Sequence, residues 1–192
     1  MNGLCKVGVT VLLLLAAACQ DKTTAIKTVQ DGSGLKMGMF VDGQLSGPGL
    51  TASGTNQVDS VGSWKGGAID GLGMRVNKVY TDIGEFTNGA MNGTGIKKSA
   101  AGDVYLGNFV ADNYQGKGVM YYSNGRVYNG TFNNNIPEGK GIMQYPNGNI
   151  YIGQLKNGIA QGDGMLLLAD GKRIVGKFAN GEPSTTTKVY GR

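Results

Sequence analysis

A short glycine pattern that returns about every 23 residues constrains this chain more than any other feature. The first glycine of each copy falls at position 38, 62, 84, 107, 130, 153 or 176, so the spacings are 24, 22, 23, 23, 23 and 23. In the clearest copy, Tyr128-Asn-Gly130-Thr-Phe132 is followed by Gly139-Lys-Gly141. A fixed period of this length indicates a repeat architecture in which each copy is one small supersecondary unit.

Each copy predicts two short strands joined by a turn. Because side chains alternate along a strand, Tyr128, Gly130 and Phe132 are expected on one face. Asn124-Gly125 and the corresponding pairs in the next two copies are typical of tight hairpin turns. The type of turn decides which face carries the apolar residues that follow Gly-x-Gly: with a two-residue turn they share the ring face, and with a three-residue turn and a bulge they lie opposite. These residues are Leu50, Met74, Ile96, Val119, Ile142 and Met165.

An isolated hairpin is marginally stable in water, so each copy must stack on its neighbours to bury its rings. The predicted fold is therefore all-β: an elongated, twisted, single-layer antiparallel sheet made of tandem β-hairpin repeats. A glycine between two ring positions is expected to leave a gap over which a ring from a neighbouring repeat can lie.

The pattern Tyr-x-Gly-x-Phe-x-x-Gly-x-x-x-Gly-x-Gly resembles the MORN (membrane occupation and recognition nexus) repeat. The resemblance covers about residues 36–183, as about six full copies and one partial copy. It implies association with membranes and contact with protein partners. The departures are a leading tyrosine replaced in four copies and a middle glycine replaced in two, at Lys36, Ser60, Asp82 and Ile174, and at Asp112 and Asn135.

The N-terminal residues of the sequence predict an export signal and a membrane anchor. Residues 1–18 have a positive charge at Lys6, a short apolar stretch and small residues before Cys19, which is the pattern of a secretory signal peptide. The apolar stretch is too short to span a bilayer as a helix. Ala16-Ala17-Ala18-Cys19 resembles the cleavage site of bacterial lipoproteins, which implies lipidation of Cys19. Gln20 after the cysteine resembles the outer-membrane sorting class.

Two segments flank the repeats in this prediction. Residues 19–35 are polar and are expected to form a flexible tether behind the lipidated cysteine. Residues 184–192 do not follow the glycine repeat. They could form a cap on the last hairpin or a disordered tail.

Composition argues against catalysis. The chain has no histidine, which removes Ser-His-Asp and Cys-His mechanisms and the commonest zinc sites. The Asp-Gly pairs lack calcium-site spacing, so no metal and no cofactor are expected. The 18 lysines and arginines are scattered rather than gathered into a stripe, so nucleic-acid binding is not expected.

The tyrosines are the candidate site residues. The favoured interpretation is that they form a packing ladder, and the alternative is an exposed binding face formed by Tyr105, Tyr122, Tyr128, Tyr145 and Tyr151. The sequence thus predicts a non-enzymatic, membrane-anchored binding or scaffold lipoprotein of the bacterial envelope with a protein partner, in the outer membrane and either periplasmic or surface-exposed. The alternative is a carbohydrate- or cell-wall-binding lipoprotein that uses exposed tyrosines.

Overall fold

The computed structural model describes residues 24–32, 34–53 and 57–191, and every regular element within them is a β-strand. The strands are β1 (Thr24–Asp31), β2 (Gly34–Val41), β3 (Gln44–Ala52), β4 (Val58–Lys65), β5 (Ala68–Val76), β6 (Tyr80–Thr87), β7 (Ala90–Ser99), β8 (Val104–Val110), β9 (Asn113–Tyr121), β10 (Val127–Asn133), β11 (Ile136–Gln144), β12 (Ile150–Lys156), β13 (Ile159–Leu167), β14 (Arg173–Ala179), β15 (Glu182–Pro183) and β16 (Lys188–Tyr190).

The strands form one antiparallel sheet in chain order. Each strand from β1 to β15 pairs with the next one, and β16 returns to pair with β14. At about 4.8 Å per strand, such a meander extends roughly 65 Å across its strands. The prediction of an all-β, single-sheet hairpin array is confirmed.

Two kinds of connection alternate along the sheet. Seven are two-residue turns in which both residues have positive φ, as type I′ turns require. They occupy the middle-glycine position of the repeat, and Asp112 and Asn135 replace glycine there with φ of 66° and 70°. The turns are Asp42-Gly43, Gly66-Gly67, Asn88-Gly89, Ala111-Asp112, Asn134-Asn135, Asn157-Gly158 and Asn180-Gly181.

Asn124-Gly125, Asn147-Gly148 and Asp170-Gly171 belong to the other kind of connection. Tyr122 N–H donates to the Arg126 carbonyl (2.9 Å), and Gly125 N–H donates back to the Tyr122 carbonyl (2.9 Å). Only Gly125 has positive φ, at 83°, which is a three-residue loop with a bulge. Tyr128 consequently pairs with Met120. Of the two turn types left open by the sequence, the three-residue loop is the one formed.

Hydrogen bonds between turn tips join neighbouring repeats. The second residue of each of six type I′ turns donates its N–H to a carbonyl in the preceding hairpin, as from Gly89 to Ile69 (2.8 Å) and from Asp112 to Met91 (3.0 Å). Each of these turns is therefore tied to the hairpin before it.

A column of glycines crosses the sheet, with one glycine in every strand from β2 to β14, each paired with the next. A Cβ on Gly118 would lie 2.5 Å from ring atoms of Tyr105, so the Tyr105 ring occupies the space that a side chain there would need. The Tyr105 hydroxyl donates to the Asn108 carbonyl (3.0 Å). The ring that covers each of the later glycine pairs thus comes from the same repeat, and not from a neighbouring one as expected.

Burial defines the two faces of the sheet. The face with the glycine column and the leading tyrosines, here called the ring face, holds the core: Tyr105, Phe109, Tyr128 and Phe132 are each at most 3% exposed. The opposite face is called the ladder face. In the early repeats, which lack the leading tyrosine, Leu45, Ile69 and Met91 approach the glycines instead.

One boundary differs from the predicted one, and one of the two alternatives for the C-terminal tail is formed. Residues 24–31 were expected in the tether, but they form β1, which pairs with β2 without a break from Thr24↔Val41 to Asp31↔Gly34. This strand covers the edge that the first repeat would otherwise leave open, so the tether does not include it. At the other end, β16 pairs with residues 173–175 of β14, so the tail caps the last hairpin.

The buried tyrosines give the fold a predicted sensitivity to alkali. Burial raises the pKa of Tyr105 and of Tyr114 to about 12, above the ordinary value of about 10. Because the folded state favours the neutral phenols, their contribution to stability is complete below the unfolded pKa and is lost as the pH rises toward the folded one. The free energy of unfolding, measured with guanidinium and circular dichroism, should fall from about pH 10 to pH 12 and should fall less in Tyr105→Phe. Equal stability across that interval would contradict this packing.

Candidate binding surface

A line of apolar side chains crosses the ladder face at right angles to the strands. It takes one residue from each strand between β2 and β14, and consecutive members are direct cross-strand partners. Its only polar member is Asn129, between Val119 and Ile142. This apolar ladder consists of Met37, Leu50, Val61, Met74, Ile83, Ile96, Leu106, Val119, Asn129, Ile142, Ile152, Met165 and Val175.

The apolar ladder is open to solvent. Ile83 is 48% exposed, Ile142 43% and Ile152 41%, whereas Met143, the next residue after Ile142, is 1% exposed. Scattered exposed apolar residues are normal on a protein surface, but a contiguous exposed patch marks an interaction site. A line of this kind is contiguous by construction, since each member lies beside the next across a strand pair.

A groove runs beside the apolar ladder. One wall is the apolar ladder, and the floor is the backbone of the glycine column. The other wall, here called the polar row, consists of the residues that lie two positions from the apolar ladder in each strand, on the far side of the column glycine. Between β5 and β14 the polar row consists of Leu72, Glu85, Thr94, Asn108, Lys117, Thr131, Lys140, Gln154, Asp163 and Lys177.

Two cavities lie within this groove. One, of about 670 Å³, spans β11–β14 and is lined by Ile142, Ile152, Met165, Val175 and their polar-row neighbours. The second, of about 410 Å³, spans β5–β8 and has the same arrangement of apolar and polar walls. The repeats thus present the same groove in two separate parts of the array.

Positive charge predominates along the groove. In the polar row, Asp163 is paired with Lys177 (2.9 Å) and Glu85 accepts a hydrogen bond from Thr94 (2.6 Å). Lys117 and Lys140 are exposed, and neither forms an ion pair with a carboxylate within the described part of the chain. On the other side of the apolar ladder, Lys98 and Arg173 are also exposed. The charges can be counted between β5 and β14 over the apolar ladder, the polar row and the row on the other side of the apolar ladder. These three rows contain five cations and two carboxylates: Lys98, Lys117, Lys140, Arg173 and Lys177, and Glu85 and Asp163.

The repeats have a known sequence family. The MORN repeat family model matches residues 61–76, 83–104, 105–125, 128–150 and 151–173, more than half of the chain. This chain belongs to the MORN-repeat family. The structure extends the same strand pairing beyond the matched residues, to β2 on one side and β14 on the other.

The other comparisons add little. No curated protein sequence matches the chain. Among solved structures, it is similar to the TCP domain of SAS-4 (dCPAP) of Drosophila melanogaster, determined in complex with a proline-rich motif of dSTIL. That similarity has a TM-score of 0.38 and 11% sequence identity, and covers 93% of this chain and 97% of that one. A similarity at this level supports no inference about function.

The leading tyrosines of the MORN repeats are core residues. Tyr105 and Tyr128 are 0% exposed and Tyr151 is 1% exposed, and each hydroxyl donates to a backbone carbonyl three residues ahead. An exposed binding face that includes these three residues is therefore wrong. Their packing role, the favoured interpretation, follows from the position of each ring over a glycine pair.

Tyr122 and Tyr145 are only partly buried. They flank Arg126, whose guanidinium carbon lies 5.1 Å from the Tyr122 ring centre and 5.9 Å from that of Tyr145. Both rings also pack against the core. Each ring thus has one neighbour already placed for a cation–π contact, which leaves little free aromatic surface for stacking on a sugar.

A cluster of ion pairs replaces the ring in one of the less regular MORN repeats. Asp82 stands in the tyrosine column and is 0% exposed. Its Oδ2 lies 2.6 Å from Arg75 Nη2, and its Oδ1 lies 3.1 Å from Lys97 Nζ. Arg75 also reaches Asp112 Oδ1 (2.7 Å). These four residues, here called the ion cluster, balance in charge, although Asp82 Oδ1 has only the charge contact with Lys97 and no hydrogen bond. Because each charge faces an opposite charge within the cluster, the ion cluster is a feature of the fold rather than a ligand site.

Electrostatics in the ion cluster favour charged Asp112. Burial on its own would raise the pKa of Asp112, but hydrogen bonds from the Met91 N–H and from Arg75 hold that pKa below its ordinary value. The carboxylate therefore stays charged well into the acid range.

The described residues offer no metal site. They contain no group of three or more cysteine, aspartate or glutamate side chains placed to hold a metal ion. In the same part of the chain, no helix could cross a membrane. Cys19 and the predicted signal peptide over residues 1–18 lie outside the described residues, and their roles stay predictions.

The apolar ladder was not identified as a candidate site from the sequence. The apolar ladder could be read from the chain only with the turn type known, because a three-residue loop moves Val119 and its equivalents to the face opposite the rings. One available signal was the apolar residue inside Tyr-x-Gly, such as Leu106 or Ile152, which places hydrophobic side chains on both faces of the same strand.

Proposed function

We propose that this protein is a non-catalytic binding protein of the bacterial envelope, anchored to the membrane by a lipid on Cys19, that presents its MORN array to a protein partner. The observation that carries the binding role is the exposed apolar ladder, which runs the length of a sheet whose other face is already packed. A MORN array without an evident catalytic cluster in its described part is consistent with binding rather than turnover.

The support for the anchor lies in the sequence. Lys6, the apolar stretch and the small residues before Cys19 follow the order of a lipoprotein signal. Lipid chains on one residue would hold the array at a membrane without a spanning helix. Gln20 supports the outer membrane as the destination.

Replacement of Cys19 tests the anchor, and Cys5 provides a matched control. In cells fed radiolabelled palmitate, the unaltered chain and Cys5→Ala should be labelled and sediment with membranes. Cys19→Ala should be unlabelled and lose most of its membrane association. The measurement is the label and the amount of protein in membrane and soluble fractions, followed by separation of inner and outer membranes on a density gradient.

Two results would contradict this proposal. Labelled Cys19→Ala that still sediments with membranes would rule out Cys19 as the anchor. For the binding role, crosslinking in intact cells that joins the protein only to glycan, and to no protein, would favour the cell-wall-binding alternative.

A further inference from the structure

We propose that the groove on the ladder face binds an acidic amphipathic segment of another protein, with the apolar side chains of that segment against the apolar ladder and its carboxylates toward Lys117 and Lys140. This inference rests on the proposed binding function and names the surface and the chemistry of the partner.

The apolar wall requires an apolar occupant. Along β11–β14, Ile142, Ile152 and Val175 are 43%, 41% and 37% exposed around a cavity of about 670 Å³. Covering these side chains removes apolar surface from water, which is the main favourable contribution to association. The aromatic side chains of the ring face cannot provide such a contact surface, because they are already buried in the core of this protein.

The charge of the walls selects an acidic occupant. The two carboxylates of the polar row already have partners in Lys177 and Thr94. Lys117 and Lys140 lie two strands apart and are exposed. Lys98 and Arg173 flank the opposite side of the apolar ladder. An incoming carboxylate can therefore gain a cationic partner on either side while its apolar neighbours cover the apolar ladder.

The same charges disfavour a second copy of this chain. Two ladder faces brought together would place an excess of lysine and arginine against an equal excess, and like charges across an interface are unfavourable. A flat anionic membrane would match the charge, but it would touch only the tops of the two walls and leave the floor, the backbone of the glycine column, uncovered. A protein segment is narrow enough to enter.

The length of the groove sets the length of the occupant. From β5 to β14 it crosses ten strands, which is about 45 Å at about 4.8 Å per strand. An extended segment of roughly 13 residues would span it at about 3.3 Å per residue. Asn129 interrupts the apolar ladder between the two cavities, so apolar contacts are expected in two groups with polar residues between them.

Photocrosslinking in intact cells tests this placement. Benzoylphenylalanine is introduced into the full-length chain at Ile152 or Leu106 in the groove, and at Val79 or Tyr122 outside it. Adducts are then identified by mass spectrometry. We expect the two groove positions to crosslink to one segment of a different protein, and that segment to carry apolar residues and more carboxylates than cations.

Reversing the charge of the two groove lysines provides a second test. Lys117→Glu with Lys140→Glu should lower the groove adduct yield at least tenfold, and added salt should lower it as well. Lys65→Glu with Lys78→Glu, both exposed and outside the groove lining, should leave the yield within twofold. Circular dichroism and thermal unfolding establish that each variant is folded.

Every outcome decides between the alternatives. Groove adducts to lipid, to a second copy of the chain or to a basic segment would overturn the inference, and so would an adduct yield unaffected by the charge reversal. Protein adducts from Val79 or Tyr122 alone would overturn the groove but leave the binding function standing. No protein adduct from any position would overturn both.

Discussion

Gly141→Val should lower the free energy of unfolding by about 3 kcal/mol, the upper part of the usual range for overpacking a core. A Cβ at Gly141 would lie 2.6 Å from the Tyr128 hydroxyl oxygen and 2.7 Å from ring atom Cζ. Tyr128 is 0% exposed and donates its hydroxyl to the Thr131 carbonyl (3.0 Å), so the ring cannot move without losing both its packing and that bond. Guanidinium unfolding followed by circular dichroism measures the change.

Gly32 and Tyr128 provide the controls for this prediction. A Cβ at Gly32 would meet nothing within 4 Å, so Gly32→Val should cost less than about 0.5 kcal/mol. Tyr128→Ala alone should cost about 3–5 kcal/mol, by analogy with other buried aromatic residues. In the Tyr128→Ala background Gly141→Val should cost much less, because the ring that it displaces is gone. Strictly additive effects would show that the ring does not rest on the glycine.

Asp82→Ala should lower the free energy of unfolding by about 3–5 kcal/mol, the usual cost of removing one partner from a buried ion pair. The side chain of Asp82 is 0% exposed, and its loss would leave Arg75 and Lys97 facing each other across β6. Thermal and guanidinium unfolding would report the loss.

The exposed pair of Asp163 with Lys177 provides the matched control. Both side chains are at least 65% exposed, so Asp163→Ala should change stability by less than about 1 kcal/mol. A harmless Asp82→Ala would contradict the ion cluster.

A second variant tests what the ion cluster replaces. In the later repeats Tyr128 lies between Met120 and Met143 of the neighbouring strands, and Asp82 lies in the same way between Arg75 and Lys97. Arg75→Met, Asp82→Tyr and Lys97→Met should restore most of the stability lost in Asp82→Ala when they are combined with Met91→Ala. The last change is needed because Met91 occupies the space over Gly84 and Gly95 that the new ring would take, and Ala160 stands at the corresponding position beside Tyr151. Replacement of buried ion pairs by well-packed apolar residues is often neutral or stabilising.

The sequence predicted the fold because the determinants of the fold are local and repeated. Tyr128, Gly130 and Phe132 share a face through the period of two along a strand, and the structure buries both rings on that face. The recurrence at 23 residues identifies tandem hairpins without any long-range information. Asp112 and Asn135 could replace the turn glycine because Asp and Asn tolerate positive φ better than most other residues.

The ladder face depended on a detail that sequence patterns do not resolve. Asn124-Gly125 is compatible with a two-residue turn and with a three-residue loop, and one residue of difference moves Val119 from the ring face to the opposite one. The same ambiguity concealed the ion cluster. Asp82 stood out as a departure from the tyrosine column, but its partners could be named only once the strand register was known.

The first strand was missed for another reason. β1 carries no repeat motif and is rich in polar residues, so nothing local distinguishes it from a linker. It is a strand because β2 offers an open edge whose backbone groups need partners. A tertiary cause of this kind leaves no periodic trace in the sequence.

Cysteine labelling at two adjacent residues tests the central claim, that rings pack one face while the apolar ladder stays open on the other. In a chain with Cys5 and Cys19 replaced by serine, Ile142→Cys lies at a position 43% exposed and Met143→Cys at one 1% exposed. Maleimide should modify Ile142→Cys rapidly under native conditions and should modify Met143→Cys only after denaturant is added. Rapid modification of Met143→Cys with protection of Ile142→Cys would reverse the two faces and contradict the account.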